Sequence, residues 1–303
     1  MDFGRLPDVR GIDFRLPPDH PDTADLLART APAAAPAPVW VGCPTWTNKA
    51  WLGTWYPLGL REDQQLHHYG RQFNSLEVNV THYRIPDAEM VRRWRAAVPA
   101  HFRFCPKVPQ SISHDRELYR ADDLTNSFCR ALENLGEQLG MAFLQMGPNF
   151  APPQLPRLER YLLDWPAHLP LAVELRHPAW YHDAGLLAET GALLEALGKT
   201  WVLSDVAGRR DVLHQRLTTP RAFVRFNGHG LHRSDYLRAD AWAERLAEWL
   251  AAGLHEAFFF IHQRDVNDAP TWAQYFLQRL GKLTGRELPQ PRLLVQPVQG
   301  KLF

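Results

Sequence analysis

Glu174, Arg176 and His177 lie in the stretch LAVELRHPAW (171–180), where an apolar run of strand length turns abruptly ionisable. The same change recurs along the chain. Glu77 and Asn79 close SLEVN, Lys107 closes FRFCPK, Gln145 falls near the end of MAFLQM, and Asp205 closes WVLSD; Arg225, Asn227 and His229 end the run that begins AFVRF, and His262 follows AFFFI. Side chains alternate across a strand, so Glu77 with Asn79, Glu174 with Arg176, and Arg225 with Asn227 each share a face. These residue types offer two chemistries. Lys107, Arg176 and Arg225 would clamp an anionic group, most naturally phosphate, because guanidinium presents a planar fork of donors. Glu77 or Glu174 would then serve as general base, with His177 and His262 as acids. Alternatively, Glu77, Glu174, Asp205, His177 and His262 would supply ligands for a divalent Mg, Mn or Zn ion in phosphodiester hydrolysis. No HxH or HExxH spacing accompanies them, and three cations at one place argue against a crowded metal cluster.

The first loop, WTNKAWLGTWYP (46–57), sets Trp46, Trp51, Trp55 and Tyr56 beside Lys49. Aromatic and basic side chains interleaved in this way would stack on bases or sugars, with Trp46 and Trp51 the chief candidates; equally, they would cap or bury the loop. NVTHYRIP (79–86) adds Thr81, His82, Tyr83 and Arg84, each of which also suits a packed loop.

Placing these residues together requires strands that end at one mouth. Eight strand-length apolar runs, beginning near Val39 and ending near Ile261, alternate with seven helix-like segments, the pattern of βα units around a parallel sheet. The link from the sixth run to the seventh, AGRRDVLHQRLTTPR, has poor helical periodicity. About eight units match a (β/α)8 TIM-type barrel better than an open doubly wound sheet, and PTWTNKAW after the first strand has no glycine-rich phosphate turn. In such a barrel the strand C-termini form the active site, which explains why core strands end in charge.

Residues 1–38 end in ARTAPAAAPAP and read as an extension or linker outside the main core; 39–284 form the barrel and 285–303 a Pro-rich tail. A 303-residue chain with 45% hydrophobic residues can bury a large core, and a net charge of +1 excludes only a protein coated in basic residues. Neither a leader peptide nor a membrane-length apolar stretch is evident, which points to the cytoplasm. Cys43, Cys105 and Cys129 are too scattered for a disulfide framework or CxxC metal site and read as small buried residues.

With those residues in place, the chain resembles the DUF72 proteins, also called the YecE-like family. The matching segments are VGCPTWTNKAWLGTWYP, FNSLEVNVTHYRIPDAEMVRRW, FRFCPKVPQSISHD, FLQMGPNF, LAVELRHPAWY and VRFNGH, spread over residues 39 to about 280. The resemblance implies a TIM-type barrel and places Glu77, Lys107, Glu174, Arg176, His177 and Arg225 at motif positions of the family. It carries no settled reaction, although the family's barrel looks like those of endonuclease-IV-type enzymes. Many members have Ser-Gly where this chain has Pro44 and Thr45, which weakens the expectation of a backbone anion nest there.

The chain closes with QGKLF, in which Gln299, Leu302 and Phe303 resemble the bacterial sliding-clamp-binding motif: two apolar anchors, one orienting amide and a tether. Alternatively, Leu302 and Phe303 pack as an ordinary tail. The leading expectation is a hydrolase acting on phosphate esters of nucleic acid. Its rivals are a sugar or sugar-phosphate isomerase or hydrolase, and a non-catalytic DNA-binding or clamp-adaptor protein.

Overall fold

The computed structural model describes residues 4–32 and 35–294. The C-terminal QGKLF lies outside them. Eight parallel strands run β1 (Val39–Gly42), β2 (Ser75–Val78), β3 (Arg103–Pro106), β4 (Ala142–Gln145), β5 (Leu171–Glu174), β6 (Thr200–Asp205), β7 (Arg221–Asn227) and β8 (Glu256–His262). Six pair in the order β1-β8-β7-β6-β5-β4, and β2 pairs with β3. The two sheets meet through short stretches of bonding at both edges: the Glu77 amide donates to the Cys43 carbonyl at 3.1 Å, and Val108 donates to Phe143 at 2.9 Å. The expected α/β TIM-type barrel is therefore the fold.

Register sorts the side chains into two populations. Trp40, Cys105, Met141, Phe143, Ala172, Val202, Phe223, Phe258 and Phe260 form one apolar cluster that fills the barrel. The alternate positions join larger clusters between the strands and the surrounding helices. There Phe226 and Phe259 stack on Trp272 of the last helix, at centroid distances of 4.3 and 5.6 Å. Trp272, Phe276 and Leu280 recur at four-residue intervals, so one face of that helix, Ala269–Thr284, is buried throughout. The helix Ala88–Ala97 begins where Asp87 accepts a hydrogen bond from the Met90 amide, and Arg233–Ala252 stops at Gly253, whose φ of 115° suits a residue without Cβ.

The N-terminal segment departs from expectation. Residues 21–29 form a helix, α1 (Pro21–Arg29), whose Leu26 and Leu27 are buried in the main cluster. Its Thr23 hydroxyl donates to the Gln215 carbonyl at 2.8 Å and accepts from the Leu217 amide at 2.9 Å. Arg216 pairs with Asp22 of α1 and with Glu195 of the helix Ala184–Ala196. The β6–β7 link contains only a single 3₁₀ turn, Arg210–Val212, and α1 packs against it in place of a crossover helix. The helix α1 thus packs into the main core, where the sequence suggested a segment outside it. A nine-residue helix, about two and a half turns with Thr23, Leu26 and Leu27 as its buried face, is too short to show a period beside the Pro/Ala run.

The described part of the C-terminal tail also packs down. Leu288 is buried, Arg292 donates its amide to Gln72 at 2.7 Å, and Leu294 donates to the Thr54 carbonyl at 2.8 Å. All three cysteines are free and buried, as their spacing suggested.

Candidate active site at the barrel mouth

The inward register positions that follow the apolar filling carry the charge. Gln145 pairs with Glu174, Ser204 with Arg225, and Asn227 with His262, each pair sharing a level on neighbouring strands. Arg225 is the hub. It grips Glu77 with two bonds, Nε to Oε2 at 2.9 Å and an Nη to Oε1 at 2.8 Å, and donates its other Nη to Glu174 at 2.6 Å. Arg176 donates Nε to the second oxygen of Glu174 at 2.8 Å. His262 Nε2 lies 3.0 Å from Glu77 Oε2, and Asn79 donates to Glu77 Oε1 at 2.9 Å. The result is one connected chain, His262–Glu77–Arg225–Glu174–Arg176, resting on Phe143, whose ring centroid is 5.2 Å from the Arg225 guanidinium carbon.

Burial alone would raise both carboxyl pKa values, and the guanidiniums reverse the effect. Glu77 is held well below the usual carboxylate range, chiefly by Arg225 and His262 against its burial. Glu174 is held at about 2 by Arg176 and Arg225, again against burial. Arg225 is pushed up by the two carboxylates despite its own burial. Both glutamates are therefore anions whose oxygens already face cationic or amide donors, which makes them weak bases.

Lys107 is different. It is 8% exposed, and its ammonium has no hydrogen bond or ion pair among the described residues. Burial, reinforced by Arg225, lowers its pKa to about 8. Two imidazoles flank it. His82 uses Nδ1 on the Val108 carbonyl at 3.0 Å, and burial followed by Lys107 lowers its pKa to about 4. His114, centroid 5.1 Å from His82, is lowered for the same reasons, and its Nε2 is buried with no partner. Both imidazoles, shifted toward the neutral form, thus lie within electrostatic reach of Lys107.

Several expected members stand elsewhere. Asp205 points to the helix side: it accepts from Arg210, from Arg238 at 3.2 Å and from Trp242 Nε1 at 2.7 Å, wholly buried. Its register partner is Phe226, an outward residue, whereas Ser204 faces inward with an unpartnered hydroxyl. Trp51 is 1% exposed, stacked on Tyr69 and belongs to the core. Trp46 is half-buried, edge-on to Trp94. His177 turns its Nδ1 onto the Ala179 amide at 3.2 Å, beside rather than within the chain of charges. Gln145 is buried at the level of Glu174, and Asn227 is half-buried on the wall of a cavity. Residue alternation, applied to β6 as to the other strands, selects Ser204 over Asp205; nothing in sequence alone brings His114 to Lys107.

The proposed metal ligands do not fit a divalent ion as arranged. Glu77 and Glu174 turn their oxygens to guanidinium groups, Asp205 lies on the other face of β6, and no group of three or more His, Cys, Asp or Glu suited to a metal occurs among the described residues.

Fold and mouth together define a TIM-type barrel whose strand ends converge on a buried ion-pair cluster with Lys107 beside it. The chain belongs to the DUF72 family, described as a protein of unknown function, which matches residues 40–293. It is 28% identical to UPF0759 protein YecE of Escherichia coli strain K12 over 286 residues, covering 88% of this chain and all of that one. DUF72 family proteins from Enterococcus faecalis V583 and Thermotoga maritima MSB8 superpose with TM-scores of 0.64 and 0.60 at 18% and 26% identity. The first comparison covers 82% of this chain and 98% of the other, the second 81% and 99%. No helix among the described residues is long and apolar enough to cross a membrane.

Proposed function

We propose that the mouth binds and hydrolyses a phosphate ester, with nucleic acid as the substrate class. The observation that carries this reading is the Lys107 ammonium: buried, unbonded, titrating near 8, and set beside a chain in which Arg225 and Arg176 already balance Glu77 and Glu174, so that Lys107 supplies the excess positive charge. Its two glutamates are committed to holding Arg225 and Arg176 in place. Phosphoryl oxygens would be received by Lys107 and the Arg176 side. In phosphodiester cleavage the departing alkoxide is a poor leaving group, so a proton donor at the leaving oxygen is a large part of what the site must supply. Lys107, as an ammonium with a pKa near neutrality, would give that oxygen a proton as the P–O bond breaks, while water forms the new P–O bond and releases its proton to solvent.

Two exposed aromatics on loops at the same face favour a base-bearing substrate. Tyr83, 75% exposed, follows β2, and Tyr119, 57% exposed, follows β3 with the Arg120 guanidinium 5.1 Å from its ring centroid. Such side chains stack on bases without sequence preference. They replace Trp51, which is buried, in that role. The sequence of residues 299–303 supports a sliding clamp as the partner that would deliver the barrel to DNA; clamp binding that survives Leu302→Ala with Phe303→Ala would remove that part.

The test uses leaving groups. Wild type and Lys107→Met are assayed on end-labelled single-stranded, duplex and abasic DNA, on thymidine p-nitrophenyl phosphate, and on p-nitrophenyl glycosides. Lys107→Met should lose activity on DNA while retaining much more of it on the nitrophenyl ester, whose leaving group needs no proton. Equal losses on both would refute general acid catalysis, and turnover of glycosides alone would replace this reading with a carbohydrate one.

A further inference from the structure

We propose a second anion subsite at the ends of β7 and β8, completed by the N-terminal segment, that takes a second phosphate group of the same substrate. It rests on the phosphate-ester reading of the mouth. Two cavities adjoin there. One, of about 290 Å³, is lined by residues including Arg5, Asn227, His229 and Arg264. The other, of about 610 Å³, is lined by Thr45, His262 and Gln263 among others, and shares Arg5 and Arg264 with the first.

Neither Arg5 nor Arg264 has a hydrogen bond or ion pair among the described residues. Gln263 is 4% exposed, and its amide nitrogen has no partner although its oxygen accepts from Gly230 at 3.1 Å. A buried donor left without an acceptor is costly, and an anion oxygen in the cavity would satisfy it. Gly228 makes room for that amide, because a Cβ there would fall 2.3 Å from it. Asp265, the carboxylate on the larger cavity, has both oxygens bonded to Asn267, at 3.0 and 2.8 Å. TIM-type barrels often bind phosphate in the loops after the seventh and eighth strands.

Arg5 reaches this place because backbone meets backbone. Gly4, at φ 66°, accepts from the Gly208 amide at 2.9 Å, and a Cβ on Gly4 would come within 2.7 Å of Val206. Residue 5 lies outside the stretch that matches the family, 40–293, so this donor comes from the chain's own N-terminal segment. His262 lines the larger cavity and bonds Glu77, which makes the subsite continuous with the chain of charges around Arg225. A ligand with two phosphates on a short spacer would span both positions. A nucleic-acid strand and a small bisphosphate share that chemistry.

The full chain, labelled with ¹⁵N in glutamine and arginine side chains, is titrated with inorganic phosphate, 5′-phosphorylated thymidine dinucleotide and fructose 1,6-bisphosphate. Two phosphate events are expected, one shifting the Gln263 amide. Arg5→Ala and Arg264→Ala, both exposed positions, should each weaken that event about tenfold and spare the other, as loss of one charge-assisted contact predicts. Lys107→Met should do the reverse. The dinucleotide should bind more tightly than phosphate, with the advantage lost in Arg5→Ala; the same gain with the sugar bisphosphate would instead name a small molecule. A single event that follows Lys107 alone would overturn the subsite and leave the phosphate-ester reading standing. A single event that follows Arg264 and ignores Lys107 would support the subsite and overturn that reading. No shift of Gln263 in the wild type overturns the subsite outright.

Discussion

Arg225 on β7 holds Glu77 on β2 and Glu174 on β5 simultaneously, with three bonds of 2.6–2.9 Å across the barrel mouth. One guanidinium thus ties three strands that are not neighbours in the sheet, and each carboxylate depends on it for its charge. Substituting either acid therefore tests stability as much as chemistry.

Glu174→Gln leaves Arg225 and Arg176 buried with one negative charge fewer. Removing one partner of a buried ion pair costs roughly 3–5 kcal/mol, and denaturant unfolding should show a loss of that size. The native pair contributes stability above the ordinary glutamate pKa, and that contribution disappears as pH falls from there through about 2. Wild type should accordingly lose stability across this acid range, and Glu174→Gln should show a flatter dependence. An unchanged acid slope in the variant would contradict the assignment.

Anion affinity should fall as pH rises through about 8, because Lys107 binds an anion only as the ammonium. A phosphodiester ligand keeps its own charge over this range, so the break belongs to the protein. Lys107→Arg should hold affinity to higher pH, since a guanidinium stays protonated. Titration calorimetry at several pH values separates the two proteins; an identical break in both would assign it to another group.

Asp205→Asn should unfold more easily and bind normally. It weakens the partner of Arg238, which is itself fully buried between Asp205 and Asp235. A loss of about 3 kcal/mol is expected, with ligand affinity unchanged below the new melting point. Reduced affinity at full folding would return Asp205 to the site.

Leu27→Ala should destabilise the whole barrel by about 2–5 kcal/mol, the usual range for a large core truncation. A melting curve indistinguishable from wild type would restore the N-terminal segment to the status of an appendage.

Tyr119→Ala should leave stability unchanged and weaken single-stranded DNA binding by about 1–3 kcal/mol if one base stacks on it. Trp51→Ala should do the opposite, lowering stability through the core it fills. Fluorescence anisotropy with a short oligonucleotide, beside thermal melts, distinguishes them.

The sequence determined the barrel and most of the ring. Strand-length apolar runs ending in polar residues follow from a geometry in which alternate side chains fill the barrel until it opens, so Glu77, Lys107, Glu174, Arg225 and His262 were legible from position alone. Only the tertiary structure decided what those charges do. Whether a carboxylate is a free base or half of an ion pair depends on which distant strand faces it, and Arg225 comes from almost 150 residues beyond Glu77. The same holds for α1: its two leucines gain a role from the β6–β7 link that lacks a helix, a vacancy visible only once the barrel closes. Asp205 and Ser204 are adjacent in sequence, and a single step of alternation sends one into an ion pair under a helix and the other into the mouth.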